Sequence, residues 1–155
     1  MSFRKIDIDA LEAEAFQSSD YLPETAQVKE TPEEALSLAE ARQGDVRNLL
    51  QRGDAVGAVK RALQDPPYGP DRDQSKNTSC KTVLEVLMGT RSSEIAGIVE
   101  QLDTDERDLL IKYLYRGWSS PKGVHCGPLL TWHEKLIEVT GTGSIVRALT
   151  DRRTV

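Results

Sequence analysis

The chain of 155 residues carries a formal charge of −5 and is 38% hydrophobic and 29% charged. That length fits one domain, able to bury roughly two-thirds of its unfolded surface. A hydrophobic share below the usual ~45–50% implies that part of the chain stays outside the packed body. Nucleic acid and anionic membrane are poor partners for a chain with no basic patch, and no run approaches the ~18 apolar residues of a membrane span.

The charge is concentrated at the start. Residues 1–30 hold three basic side chains against seven acidic ones, while the remaining residues hold 17 and 18. Met1-Ser2-Phe3-Arg4-Lys5 turns acidic by Asp7 with no apolar stretch behind it; no secretory signal is expected and the chain reads as cytoplasmic. Apolar residues in this region are sparse and lack a helical period, so it cannot by itself offset the entropy of ordering. It is expected to be disordered when free. Ile6 and Ile8 alternate with Asp7 and Asp9 as in an extended strand. Either a segment that wraps a partner or a solubilising acidic tail fits that pattern.

A helical body is predicted from residue 31 to residue 155. Thr31-Pro32-Glu33-Glu34 combines a cap, a proline at the first helical position and a glutamate placed for a capping box. The first helix runs from there to Gly53, with Gly44-Asp45 a possible break. Asp54 caps a second, which Asp65-Pro66-Pro67 stops. After a loop over 68–77, a third begins near Ser75 or Thr78 and presents Cys80, Val83, Leu84, Leu87 and Met88 on one face. Ser92 or Ser93 caps a fourth, and Asp103 or Thr104 a fifth that Gly117 terminates. A sixth helix is predicted from about Pro128 to Thr140 and a seventh from Ser144 to about Asp151. No strand signal of similar quality occurs, so the fold class is all-α: about seven short helices in a bundle or short α-solenoid, with an extended N-terminal arm.

The sequence offers no catalytic constellation. His125 and His133 are the only histidines, and neither sits in a metal-binding doublet. Cys80 and Cys126 lack the spacing of a zinc site or redox dithiol and are expected to be buried or semi-buried thiols. Asp103, Asp105, Glu106 and Asp108 are explained by favourable placement at a helix start. Gly141-Thr142-Gly143-Ser144 lacks the lysine and spacing of a phosphate loop and reads as a tight inter-helix turn. No catalytic residue, cofactor or metal is assigned.

The most informative stretch is the last third. It reads Lys112-Tyr113-Leu114-Tyr115-Arg116-Gly117-Trp118, then Trp132-His133-Glu134-Lys135, then Gly143-Ser144-Ile145-Val146-Arg147, and ends Asp151-Arg152-Arg153-Thr154-Val155. Four of the chain's eight aromatics lie here, and large rings dominate both core and interface energetics. Tyr113, Tyr115, Arg116, Trp118, Trp132, His133, Arg147, Arg152 and Arg153 are therefore candidates for either the core or a partner surface. The two terminal arginines can make forked contacts with carboxylates, on the protein's own body or on a neighbouring chain.

These phrases, together with Phe3-Arg4-Lys5-Ile6-Asp7-Ile8-Asp9 at the start, resemble the smallest, fifth subunit of the actin-related protein 2/3 complex, the assembly that nucleates branched actin filaments. The resemblance implies a non-catalytic structural subunit of a seven-protein assembly, with no cofactor of its own. It further implies a helical body seated on the β-propeller subunit and the fourth small subunit. The arm, through Phe3, Arg4, Lys5, Ile6, Asp7, Ile8 and Asp9, would reach actin-related protein 2. Contact with the actin filament would be made through the complex, placing the chain in the actin cytoskeleton, in cortical actin patches. The alternative reading is a free-standing helical adaptor for actin-linked proteins.

Overall fold

The structure is a computed structural model that describes residues 31–69, 71–119 and 126–155. The expected contacts of Phe3 to Asp9 and the behaviour of the arm fall outside the described residues, as does His125. Seven helices are described: α1 (Pro32–Gln51), α2 (Ala55–Leu63), α3 (Asp73–Gly89), α4 (Ser92–Gln101), α5 (Thr104–Ser119), α6 (Cys126–Thr140) and α7 (Gly143–Thr150). Among the described residues there is no strand, so the all-α class holds.

The helix ends follow local chemistry. Thr31 Oγ1 accepts from the Glu34 amide at 3.2 Å, and Glu34 Oε2 accepts from the Thr31 amide at 2.9 Å, a complete capping box at the head of α1. Asp103 and Glu106 build the same device ahead of α5, at 2.7 and 3.0 Å. Asp54 Oδ1 takes the Gly57 amide at 2.8 Å at the start of α2. Gly53, at φ +78°, closes α1: its amide bonds Leu50 O while the Asp54 amide bonds Leu49 O. This double closure is the Schellman arrangement, which a residue with a Cβ adopts only under strain.

Several boundaries differ from the sequence prediction. Gly44-Asp45 does not break α1, which is continuous to Gln51; a single glycine lowers helix propensity without forbidding the conformation. Helix α3 starts at Asp73, ahead of Ser75 and Thr78. The connection before it turns through positive φ at Asp65, Gly69 and Asp71, and Asp is one of the few residues that tolerate this region. Neither Ser92 nor Ser93 caps α4; Arg91 holds that position with no side-chain bond. Gly117 is inside α5 and does not end it. A Cβ there would stand 2.9 Å from Leu84 Cδ2 and 3.2 Å from Leu129 Cδ1, so the glycine permits α5 to lie against α3 and α6. Cys126 is exposed at the head of α6, contrary to the buried thiol expected, while Cys80 is buried. Met88 is likewise exposed at the end of α3.

Packing proceeds as neighbouring pairs stacked around a shared core. Helix α1 lies on α2 and α3, α4 on α6, and α7 on α5 and α6, with α3, α5 and α6 meeting in the middle. The core runs through Val83, Val86 and Leu87 of α3, Leu110, Ile111, Tyr113 and Leu114 of α5, and Leu129, Trp132 and Leu136 of α6. Trp132 is completely buried, and its Nε1 donates to Leu87 O at 3.0 Å. Trp132→Ala should therefore cost about 3–5 kcal/mol of stability, the range for removing a buried aromatic. Urea denaturation of the full-length chain should show it as a lower midpoint at unchanged slope, and a loss below about 1 kcal/mol would contradict this account of the core.

Candidate functional site

The sequence-selected residues of the last third separate into three environments. Tyr113 and Trp132 belong to the core, both fully buried. Burial pushes the Tyr113 hydroxyl pKa well above its ordinary value, and it finds no hydrogen-bond partner among the described residues.

Tyr115, Trp118 and His133 form a half-buried ring cluster between α5 and α6. Ring centroids lie 5.5 Å apart for Tyr115 and Trp118, 5.8 Å for Tyr115 and His133, and 5.3 Å for Trp118 and His133, all tilted. These separations lie in the favourable range for aromatic pairs. Tyr115 and Trp118 are three apart on α5 and so share a face. The Tyr115 hydroxyl approaches His133 Nε2 at 3.4 Å, a long contact. His133 is thus a packed surface ring beside two aromatics.

The arginines tie elements together. Arg116 donates to Asn77 Oδ1 at 2.8 Å, joining α5 to α3. Arg147 forks onto Asp108, Nε to Oδ2 at 2.6 Å and Nη2 to Oδ1 at 2.9 Å, joining α7 to α5. Arg153 forks onto Asp151, with Nη2 to Oδ2 at 3.0 Å, and its guanidinium lies 5.0 Å from the centre of the Tyr68 ring. Arg152 is exposed.

Of the two placements open to the terminal segment, the structure shows docking on the protein's own body. Lys112 Nζ bonds Asp151 Oδ2 and also donates to Arg153 O at 3.1 Å. Lys76 Nζ donates to Thr154 Oγ1 at 2.9 Å, and the Val155 side is buried in the core. Tyr68, Lys76 and Lys112, to which the sequence analysis gave no role, are the partners that hold this strap. No sequence pattern announces pairings 39 to 78 residues apart. Beside the strap lies a cleft of about 480 Å³, lined by Leu63, Tyr68, Asp105, Leu109, Arg147 and Asp151 among others.

The Gly141–Gly143 turn behaves as expected of a close inter-helix turn. Gly141 takes φ +68°. The buried Ser144 hydroxyl donates to Gly141 O at 2.9 Å and lies 2.8 Å from Thr140 Oγ1. Among the described residues no group of three or more His, Cys, Asp or Glu side chains is placed to hold a metal ion.

Three exposed apolar residues of the last two helices went unrecognised as surface. Val146 and Leu149 of α7 are 59% and 69% exposed, and Leu130 of α6 is 55% exposed. Half-buried aromatics and outward aliphatics on a small helical block define the class to which this molecule belongs: an all-α module of stacked helix pairs with its chemistry on its outer surface. The model of the ARP2/3 complex 16 kDa subunit family (p16-Arc) matches residues 2–155. Curated relatives agree over nearly their full lengths. Actin-related protein 2/3 complex subunit 5-C of Xenopus laevis is 35% identical, the match covering 99% of this chain and 94% of the relative. Subunit 5 of Saccharomyces cerevisiae is 37% identical, covering 99% and 97%, and the human subunit 5-like protein is 37% identical, covering 99% and 94%. The chain belongs to the ARP2/3 complex 16 kDa subunit family.

The strap yields a pH-dependent prediction. Burial pushes the Asp151 carboxyl up, but the bonds from Arg153 and Lys112 outweigh it and hold the group well below the usual carboxylate range. Its folded value thus lies below the unfolded value of about 3.9. The contribution to stability is complete above that value and is lost as pH falls through the depressed folded value. Asp151→Asn should lower stability at neutral pH by about 1.5–3 kcal/mol, the range for hydrogen bonds to charged groups. The gap from the unaltered protein should narrow as pH falls from about 4 toward 2. Urea midpoints across this range check it, and a gap independent of pH would show that the carboxylate does not hold the strap.

Proposed function

We propose that this chain is a non-catalytic structural subunit of the actin-related protein 2/3 complex and supports nucleation of branched actin filaments. The helical body anchors on partner subunits, the β-propeller subunit and the fourth small subunit. The N-terminal arm tethers actin-related protein 2. The actin filament is met through the complex, and the chain's place is the cytoplasmic actin cytoskeleton.

The observation that carries this reading is the extent of the family match, from residue 2 to residue 155. It takes in the acidic arm as well as the helical body, which favours a working arm over an inert solubilising tail. The relatives named for the complex are likewise matched across 99% of this chain. The body supports an anchoring role because its core, its turns and its terminal strap are closed within one chain, leaving the outer surface for contact.

The physics of a tether suits the arm. Any flexible chain of about 30 residues has a typical end-to-end span near 30 Å and stretches to on the order of 100 Å. A linker of that reach holds its target at an effective concentration in roughly the millimolar range, so a weak arm contact suffices once the body is seated. The role calls on no bound cofactor and no catalytic group.

Deleting residues 1–30 should leave the body incorporated at equal stoichiometry while the complex loses actin-related protein 2. Native mass spectrometry of the purified assembly reads both quantities, and filament-branching rates should fall with the occupancy. Full occupancy and normal branching without the arm would refute the tether. A full-length chain that fails to co-purify with the other subunits would instead identify a free-standing adaptor.

A further inference from the structure

Helix α7 buries two small side chains, half-buries Ile145 and turns two large aliphatic side chains outward. Ser144 and Ala148, four apart, are 0% and 8% exposed, whereas Val146 and Leu149, three apart, are the two most exposed large apolar side chains among the described residues. The inward line has a clear purpose. Two small side chains, with Ser144 Oγ satisfied at the Gly141 turn, let α7 lie closely on α5 and α6. The outward line has none inside this chain. Single exposed aliphatics are ordinary on a soluble protein, but a helix packed through its small residues while a branched pair faces away is arranged to pack on both sides.

The carboxylates near this helix are paired and mostly covered, while the arginines beside them stay about half exposed. Arg147 is engaged with Asp108, and Asp151 is shared by Lys112 and Arg153. Arg152 remains exposed just past the helix end. The face therefore offers an apolar pair with a cationic edge. Two copies meeting through α7 by a two-fold axis would bring like charges into one interface, which is unfavourable. A different chain with carboxylates beside an apolar segment meets both features.

We propose that the outward face of α7, Val146 and Leu149 with Arg152 at its edge, is a surface through which the body docks on a neighbouring subunit of the complex, and that this neighbour presents an apolar segment flanked by carboxylates. The assignment rests on the reading of the chain as a subunit of that complex. It adds a specific face and the chemistry of what covers it.

The test is co-expression of the full-length chain with the remaining subunits, followed by affinity capture through another subunit and measurement of the incorporated fraction. Val146→Asp/Leu149→Asp should reduce incorporation at least tenfold. Leu38→Asp, at the comparably exposed aliphatic of α1, should incorporate as the unaltered chain does. Arg152→Glu should reduce incorporation several-fold, and added salt should shrink the difference from the unaltered chain. Circular dichroism of each full-length variant should show unchanged helix content and melting. Where the double variant melts early, Arg152→Glu, whose side chain lies outside the helices, decides alone. Incorporation of the α7 variants at the unaltered level overturns the proposal, as does an equal loss for Leu38→Asp, which would mean that any added charge suffices. A double variant that incorporates normally but converts a self-associated free chain to monomers would assign the face to a second copy, and also overturns it. If the unaltered chain fails to incorporate, the subunit reading itself falls and takes this inference with it.

Discussion

The architecture depends on one buried hydrogen bond. Trp132 Nε1 donates to Leu87 O, and Leu87 lies among the last four residues of α3, whose carbonyls have no partner within their own helix. A carbonyl in that position, enclosed by core, must find a donor or carry a substantial desolvation penalty. The neighbouring Val86 O is met by Thr90 Oγ1 at 2.8 Å. Trp132 thus serves as a helix cap delivered from 45 residues away, while its ring fills the centre of the core. With α3 and α6 tied in this way, α5 is admitted against both only because Gly117 has no side chain. Everything on the outer surface of α5 and α6 takes its position from that three-helix junction.

The ring cluster illustrates the dependence. Tyr115 and Trp118 can reach His133 because Gly117, between them in sequence, brings α5 close to α6. Tyr113 and Trp132 point the other way, into the core. Alternate members of one aromatic-rich phrase consequently do different work: Tyr113 stabilises the block, and Tyr115 and Trp118 shape its surface. Their separation follows from helical period once the inward side is known, but the period alone leaves the inward side undetermined.

Much of the fold was legible in the sequence wherever the determining chemistry is local. The capping box at Thr31, the glycine closure at Gly53 and the proline stop after α2 each lie within a few residues of their effect, and the structure has them where they were read; of Asp103 and Thr104, the two caps open for α5, it is Asp103 that caps, with Glu106 completing the box. Gly117 was misread because a glycine after a basic residue has the same local signature whether it ends a helix or makes room for a neighbouring one. The docked terminus was only half legible: the two arginines advertised forked carboxylate contacts, but Asp151, Lys112, Lys76 and Tyr68 are brought together by tertiary packing alone. The orientation of α7 was hidden for a related reason. In an eight-residue helix, Ile145, Val146, Ala148 and Leu149 leave both a small-residue face and a large-residue face available, and hydrophobic patterning favours burying the larger.

That reversal bears on how such a chain divides its hydrophobic surface between folding and association. Burying Val146 and Leu149 internally would add on the order of a few kcal/mol to folding, at 25 cal/mol per Å² of apolar surface removed from water. Leaving them outside makes the same area available only when another surface covers it. Ion pairs compensate in part: Arg147 on Asp108 pins the middle of α7 to α5, and Lys112 on Asp151 pins the residue just past its end, both through charge-assisted bonds. Such a helix keeps its place without using its larger apolar side chains, and it holds those side chains in fixed positions before any partner arrives. Preorganisation of this kind lowers the ordering cost of association, so a small apolar pair on a pinned helix contributes more to docking than the same pair on a segment that must first be ordered.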